Sequence, residues 1–172
     1  MTAQLLIVWH SRTGAAEQMS QALADGAAAA LAEMAACEQV TIARQPAVHT
    51  SADDLRRAQG YVFCAPENLA TVSGEMKAFF DRCYYPMLDS LAGRPYALAI
   101  SAGSDGSGAA RQMTRICTGW RLQAVGEPLI VNLGAQTPAQ ILAPKKIGTL
   151  ARTDCMNLGG LMAATLALSQ TG

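Results

Sequence analysis

Aromatic and charged side chains are scarce in this chain of 172 residues: aromatics make up 5% and charged residues 15%, and thirteen basic groups balance thirteen acidic ones. Without net charge there is no electrostatic reason to expect nucleic acid or a membrane surface as a partner. The five cysteines (Cys37, Cys64, Cys83, Cys117 and Cys155) form no C-x-x-C pair, and neither of the two histidines stands close to one of them. That pattern argues against a zinc site and a redox dithiol, and the odd count disfavours a disulfide scaffold. No apolar run is long enough to cross a bilayer, and the first residues lack the pattern of a secretory signal, so a cytoplasmic, reduced protein is expected. No repeat or low-complexity linker divides the chain, and its 51% hydrophobic content suits a single domain over residues 1–172. Both common nucleotide fingerprints are missing as well, the P-loop ending in Gly-Lys-Ser/Thr and the dinucleotide Gly-x-Gly-x-x-Gly.

What the chain does contain is alternation. Apolar, β-branched runs recur at Leu5 to Trp9, Val40 to Ala43, Tyr61 to Ala65, Tyr96 to Ser101 and Leu129 to Leu133, separated by segments of helical length. Five strands alternating with five helices predict a parallel sheet covered on both faces. The first helix, Ala15 to about Ala36, consists almost wholly of strong helix formers, with Gly26 weakening its middle. A short helix is expected over Ser51 to Gln59, capped by Ser51 or Asp53. From Gly74 onward Met76, Phe79, Phe80, Cys83, Tyr84, Met87, Leu88 and Leu91 mark one buried helical stripe, with a break near Tyr85 ahead of Pro86. Gly108 to about Gln123 and Leu150 to Ser169 complete the set. Gly159-Gly160 lies inside the last helix, where paired glycines either weaken it or permit close packing.

In such a sheet the loops after the first, third and fourth strands open on one edge, where strand order reverses. Those loops are Ser11 to Ala16, Pro66 to Ser73 and Ala102 to Gly108, all rich in small or polar residues. The first joins a buried strand to a helix and brings backbone N–H groups and the positive end of the helix dipole to one point, which suits a phosphate. A plain helix cap by Thr13 is the competing reading. In the third, Gly103, Gly106 and Gly108 remove side chains that would block close approach of a flat ring.

The second loop and the helix after it carry the most specific text, Ala65-Pro66-Glu67-Asn68-Leu69-Ala70-Thr71-Val72-Ser73-Gly74-Glu75-Met76-Lys77-Ala78-Phe79-Phe80-Asp81-Arg82. It resembles the signature of NAD(P)H-dependent FMN reductases and quinone reductases of the flavodoxin-like superfamily, Ser-Pro-Thr-Tyr followed by a small-residue stretch and Ser-x-x-Met-Lys-x-Phe-x-Asp-Arg. Pro66, Ser73, Met76, Lys77, Phe79, Asp81 and Arg82 match, and Leu91-Ala92-Gly93-Arg94-Pro95 is similar to the same family's text before the fourth strand. The resemblance extends over essentially the whole chain. It implies a flavodoxin-like three-layer α/β sandwich with a five-stranded parallel sheet in the order 2-1-3-4-5. It further implies FMN as cofactor, NAD(P)H as electron donor, a quinone, flavin or other small molecule as acceptor, and a homo-oligomer.

By this resemblance Ser11, Arg12, Thr13, Gly14, Ala15 and Ala16 hold the FMN phosphate. Pro66, Glu67, Asn68, Leu69, Ala70, Thr71 and Val72 line the pyrimidine side of the ring, which Ala102, Gly103, Ser104 and Gly108 frame from the third loop. The flavin carries the chemistry, so no side chain is assigned as catalytic acid or base and no metal is expected. Relatives have Thr-Tyr where this chain has Glu67-Asn68, and a carboxylate beside the ring would repel the reduced flavin anion. Neither the second loop nor the third contains an aromatic residue, leaving one face of the ring open to a nicotinamide or a quinone. Together with zero net charge, this favours a reductase over a flavodoxin-type electron carrier or a flavin-free binding protein of the same fold.

Several residues read as scaffold. Ser73 is placed to cap its helix, Asp81 and Arg82 suit an ion-paired helix face, and Cys64 and Trp120 suit the core. His10 is expected to be a partly buried structural histidine, Arg111 and Arg115 an exposed face able to meet a dinucleotide phosphate, and no Ser-His-Asp set is expected.

Overall fold

The computed structural model describes residues 2–170. Five strand positions form one parallel sheet: β1 (Ala3–Trp9), β2 (Val40–Pro46), β3 (Gly60–Asn68), β5 (Pro95–Ala102) and a fifth filled by two short pieces, β6 (Gln123–Ala124) and β7 (Leu129–Asn132). The order β2-β1-β3-β5, with β6 and β7 both parallel to the far side of β5, is the expected 2-1-3-4-5 arrangement. Several short elements were not foreseen, among them β6 and a 3-10 turn over Ala47–His49. β4 (Thr71–Val72) turns back antiparallel on β3 inside the second loop, and a five-residue helix, α5 (Pro138–Leu142), follows β7.

Helices α1 (Ala15–Glu33) and α6 (Thr149–Ser169) cover one face of the sheet, and α2 (Ala52–Arg57), α3 (Gly74–Tyr84) and α4 (Ser107–Gly119) the other. Alternation along β3 feeds both layers: Tyr61, Phe63 and Ala65 enter the α3–α4 core, Val62 and Cys64 the α1–α6 core. All three phenylalanines of the chain lie in the α3–α4 core around Trp120, with ring centroids 5.0 Å apart for Phe63–Phe80 and 5.4 Å for Phe80–Trp120. The helix of the family text ends at Tyr84, and a 3-10 turn over Tyr85–Met87 takes up Pro86. Ser51 and Asp54 form the capping box of α2, so Asp53 is not its cap.

Two of the helix assignments depended on glycine, and packing explains both. α1 and α6 cross so closely that a Cβ at Gly26 would lie 2.0 Å from the Met156 carbonyl oxygen, and one at Gly159 1.9 Å from that of Leu23. These glycines are packing residues inside continuous helices. No helix among the described residues is long and apolar enough to cross a membrane.

Gly159→Ala tests the crossing. Alanine raises intrinsic helix propensity by about 1 kcal/mol, but the methyl group meets backbone that cannot rotate away, and overpacking of this kind costs roughly 1–3 kcal/mol. Chemical denaturation should show a lower midpoint; a raised one would mean that the two helices separate freely at this point.

Candidate functional site

The three loops converge as the topology requires. At the carboxyl edge of the sheet they border a slot of about 120 Å3, with Arg12 and Thr13 from the first loop, Pro66, Glu67 and Asn68 from the second, and Ala102 and Gly103 from the third, next to Ser101. The opposite wall was missed from sequence: Leu133, Ala135, Ile141 and Lys145, from the segment between β7 and α6. No residue in this lining is aromatic.

The first turn owes its shape to Gly14, the residue before α1, whose φ of 97° strongly disfavours a side chain. Thr13 does not cap the helix. No side chain caps α1, whose opening residues Ala15 and Ala16 are buried, and the half-buried Thr13 hydroxyl has no partner among the described residues. Ser11 closes the turn by accepting the Gly14 N–H at 3.1 Å. The missed segment straps the turn from outside: the Lys145 N–H donates to the Thr13 carbonyl at 2.7 Å, and the Gln18 side-chain amide donates to the carbonyls of Gly14 and Lys145 at 2.8 and 2.7 Å. The Lys145 ammonium contacts the last carbonyls of α5, including Ile141 at 3.1 Å, as suits a cation at a helix carboxyl end.

The second loop is a hairpin whose two tip residues, Leu69 (φ 51°) and Ala70 (φ 61°), both occupy the left-handed region. Such a turn prefers Asn-Gly, and each residue with a Cβ costs about 1–2 kcal/mol there. α4 holds the hairpin in place. The Glu67 carboxylate accepts the backbone N–H groups of Gly106 (2.9 Å) and Ala109 (3.0 Å), and the Gln112 side-chain oxygen accepts that of Val72 (2.8 Å). Glu67 therefore stands at the positive end of α4, and its charge is taken up there instead of standing free against a ring.

The third-loop glycines also serve packing. A Cβ at Gly103 would lie 2.7 Å from the Ala135 carbonyl oxygen, one at Gly106 2.5 Å from Ile130 Cγ2, and one at Gly108 2.1 Å from the Ala70 carbonyl oxygen. What they admit is neighbouring protein, where the sequence suggested room for a ring. Of the remaining expected site residues, Leu69, Ala70, Thr71 and Ser104 are exposed outside the slot, Val72 is buried in the α3–α4 core, and Gly108 packs under the hairpin tip.

Beside the first turn the structure assembles a chain that the sequence did not suggest: Ser73 Oγ lies 2.8 Å from His10 Nδ1, and His10 Nε2 lies 3.4 Å from the Glu75 carboxylate, which also faces Arg12 at 3.6 Å. With a carboxylate at Nε2 the neutral ring carries its proton there, and Nδ1 accepts from the Ser73 hydroxyl. Ser73 is fully buried, so its oxygen is a tie between β1 and α3 and not a nucleophile. Nor does it cap α3, since the hydroxyl is engaged by His10. Asp81 pairs with Lys77 at 2.6 Å, while Arg82 donates to the carbonyls of Ala47 and Thr50, so the two do not pair with each other. Arg94 likewise donates to carbonyls at the end of α2 and to the Tyr61 hydroxyl. Cys64 donates to the Ala16 carbonyl, and burial pushes its thiol well above the ordinary range, leaving no reactive thiolate.

Two measurements check these contacts. Glu67→Gln removes the charge facing α4 and should destabilise the protein by about 1–2 kcal/mol; an unchanged unfolding midpoint would detach Glu67 from that helix. Burial lowers the His10 pKa below 6.5 against the opposing pull of Glu75, while Arg12 lowers it further. The unfolded chain then binds a proton that the folded one refuses, so this contribution to stability is present above about 6.5 and is lost as pH falls towards the folded value. An NMR titration should place the His10 midpoint below 6.5 and move it lower still in Glu75→Gln; an upward move would exclude Glu75 as its partner.

Comparison with known proteins agrees with this architecture. A comparison with curated proteins gives no match in sequence. Among solved structures, an oxidoreductase from Corynebacterium diphtheriae is similar over 98% of both chains (18% identity, TM-score 0.73). An archaeal flavodoxin matches 95% of this chain and 98% of its own (14%, 0.72), and a WrbA-like flavodoxin protein from Agrobacterium tumefaciens 98% and 99% (17%, 0.64). At these identities the likeness is one of fold. The model of the NADPH-dependent FMN reductase family matches residues 10–136, from the residue before the first turn to the wall that faces it, and the chain belongs to that family.

Proposed function

We propose that the chain is an FMN-binding oxidoreductase that takes electrons from NAD(P)H and delivers them to a quinone, a flavin or another small acceptor. The observation that carries the reading is the first turn: α1 begins without a side-chain cap, beside a free Thr13 hydroxyl, at a slot that Arg12 and Lys145 both line. A phosphate dianion is the ligand such a turn suits. Ser11 to Ala16 would hold the phosphate, with Pro66 to Asn68 and Ala102 to Gly103 facing the remainder of the cofactor. When bound, FMN supplies the redox chemistry, accepting hydride from the nicotinamide and passing electrons on.

The slot is smaller than ordinary ligand cavities of about 300–1,000 Å3, so the cofactor would project beyond it towards the exposed hairpin. That position suits exchange with diffusing partners. The chain's own residues orient the cofactor and shield the first turn: Gln18 and Lys145 close it from one side, and the hairpin stands against the other. Cys64, Cys83, Cys117 and Cys155 are buried, which fits a reducing, cytoplasmic setting. A flavodoxin-type carrier is the second reading, favoured by likeness to the archaeal flavodoxin. Zero net charge and a lining without aromatics weigh against it.

The deciding experiment is the anaerobic visible spectrum of FMN-saturated, desalted protein during addition of NADPH and then NADH. Flavin absorbance should be retained and should bleach promptly. Retained flavin that stays oxidised would replace the reductase by the carrier, and loss of flavin on desalting would overturn cofactor binding altogether.

A further inference from the structure

The cluster beside the first turn sets one carboxylate against two bases. Glu75 lies 3.4 Å from His10 Nε2 through one oxygen and 3.6 Å from Arg12 Nη2 through the other, so a single negative charge serves both. The two contacts differ in kind. The Arg12–Glu75 pair joins side chains that are 59% and 45% exposed, at a separation beyond hydrogen bonding, and water screens such a pair enough for it to exchange readily. His10 is fixed: its side chain is only 16% exposed, its backbone N–H donates to the Cys64 carbonyl at 3.0 Å, and Nδ1 meets the buried Ser73 hydroxyl at 2.8 Å.

Arg12 belongs to two places at once, since it faces Glu75 and also lines the slot beside Thr13. A phosphate monoester is the stronger partner for it: a dianion can engage both arms of the guanidinium fork, whereas Glu75 meets a single nitrogen at 3.6 Å. Once Arg12 turns to such a ligand, Glu75 is left with His10 alone. Burial disfavours a charged ring, and Glu75 from α3 and Arg12 from the first turn, the charged groups that act on it, pull in opposite directions. Ser73 contributes a hydroxyl and Cys64 of β3 a carbonyl, neither of them charged. Withdrawing Arg12 from that balance favours the imidazolium. Ser73 accommodates either state, because its hydroxyl donates to a bare Nδ1 and accepts from a protonated one.

We propose that Glu75 exchanges partners when the cofactor is loaded: Arg12 leaves it for the phosphate of FMN, and Glu75 then pairs with a His10 that has taken a proton from solution at Nδ1. An N–H bond forms at Nδ1, the Ser73 hydroxyl turns from donor to acceptor, and no other bond changes. The inference rests on the FMN-binding reading given above. Linkage makes the coupling reciprocal, so protonation of His10 frees Arg12 and tightens the hold on the phosphate. Cofactor affinity therefore rises as pH falls through neutrality, until the phosphate itself takes up a proton at about pH 6.

The test needs no turnover. An NMR titration follows His10 in the full chain alone, with saturating FMN, and with riboflavin, which lacks the phosphate; flavin fluorescence reads binding independently. The His10 midpoint should rise by about one pH unit or more with FMN and stay in place with riboflavin. Calorimetry at about pH 7, in buffers of different ionisation enthalpy, should show net proton uptake on FMN binding, since most of the phosphate is already a dianion there. In Glu75→Gln that uptake should vanish, and at about pH 8 FMN should bind roughly two- to fivefold more tightly, because Arg12 has no partner to leave. A midpoint unmoved by bound FMN, an equal rise with riboflavin, or undiminished uptake in Glu75→Gln would each overturn the exchange while leaving FMN binding intact. Failure of FMN to bind would instead remove the flavin reading, and inorganic phosphate then serves as the probe: a rise of the His10 midpoint that Glu75→Gln abolishes retains the exchange, and no rise removes it.

Discussion

The close crossing of α1 and α6 at Gly26 and Gly159 sets the position of the first turn and of the wall that faces it at the carboxyl edge of the sheet. α1 and α6 can lie against one another only because neither carries a side chain at those two points. Their crossing places the amino end of α1 beneath the segment that leads into α6, where Gln18 reaches from one to the other. The uncapped turn at Ser11 to Gly14 and the strap through Lys145 are therefore one construction, although more than 120 residues separate them. Displacing either helix would open the turn and withdraw the wall of the slot together.

The second half of the site depends on α4 in a comparable way. A two-residue hairpin with Leu69 and Ala70 at its tip is a poor local choice, since both residues occupy backbone conformations that favour glycine or asparagine. It persists because Glu67 and Gln112 tie both of its strands to α4 while Gly108 leaves room for the Ala70 carbonyl. The family text after the hairpin is largely scaffold as well. Met76 and Phe79 fill the core, Arg82 satisfies carbonyls near α2, and Ser73 binds the histidine that follows the first strand. Residues that read as a signature of function in sequence thus mostly fix where the loops stand.

Much of this could be read in advance. The five apolar runs became the five strand positions, and the long helices fell close to where composition put them, because burial on both faces of a parallel sheet leaves an apolar run that no side-chain detail disguises. The convergence of the three loops followed from topology alone. Individual contacts did not. Thr13 and Ser73 have the chemistry of caps, but the first lies one residue too early and the second is drawn away by His10. Asp81 and Arg82 are adjacent in sequence, which on a helix points them apart, so each found a different partner.

By itself the sequence determined the strands, the helices and the small-residue loops between them, because hydrophobic periodicity and turn chemistry act over short stretches of chain, while the order of the strands was what the family resemblance implied. Only the tertiary structure decided what those loops do to one another: that the carboxylate of Glu67 neutralises a helix end, that the glycines of the third loop admit Ala135 and Ala70 where a ring seemed to belong, and that residues 133–145 close the slot. These outcomes depend on which groups arrive within about 3 Å of each other from distant parts of the chain, a matter of packing that no local pattern encodes.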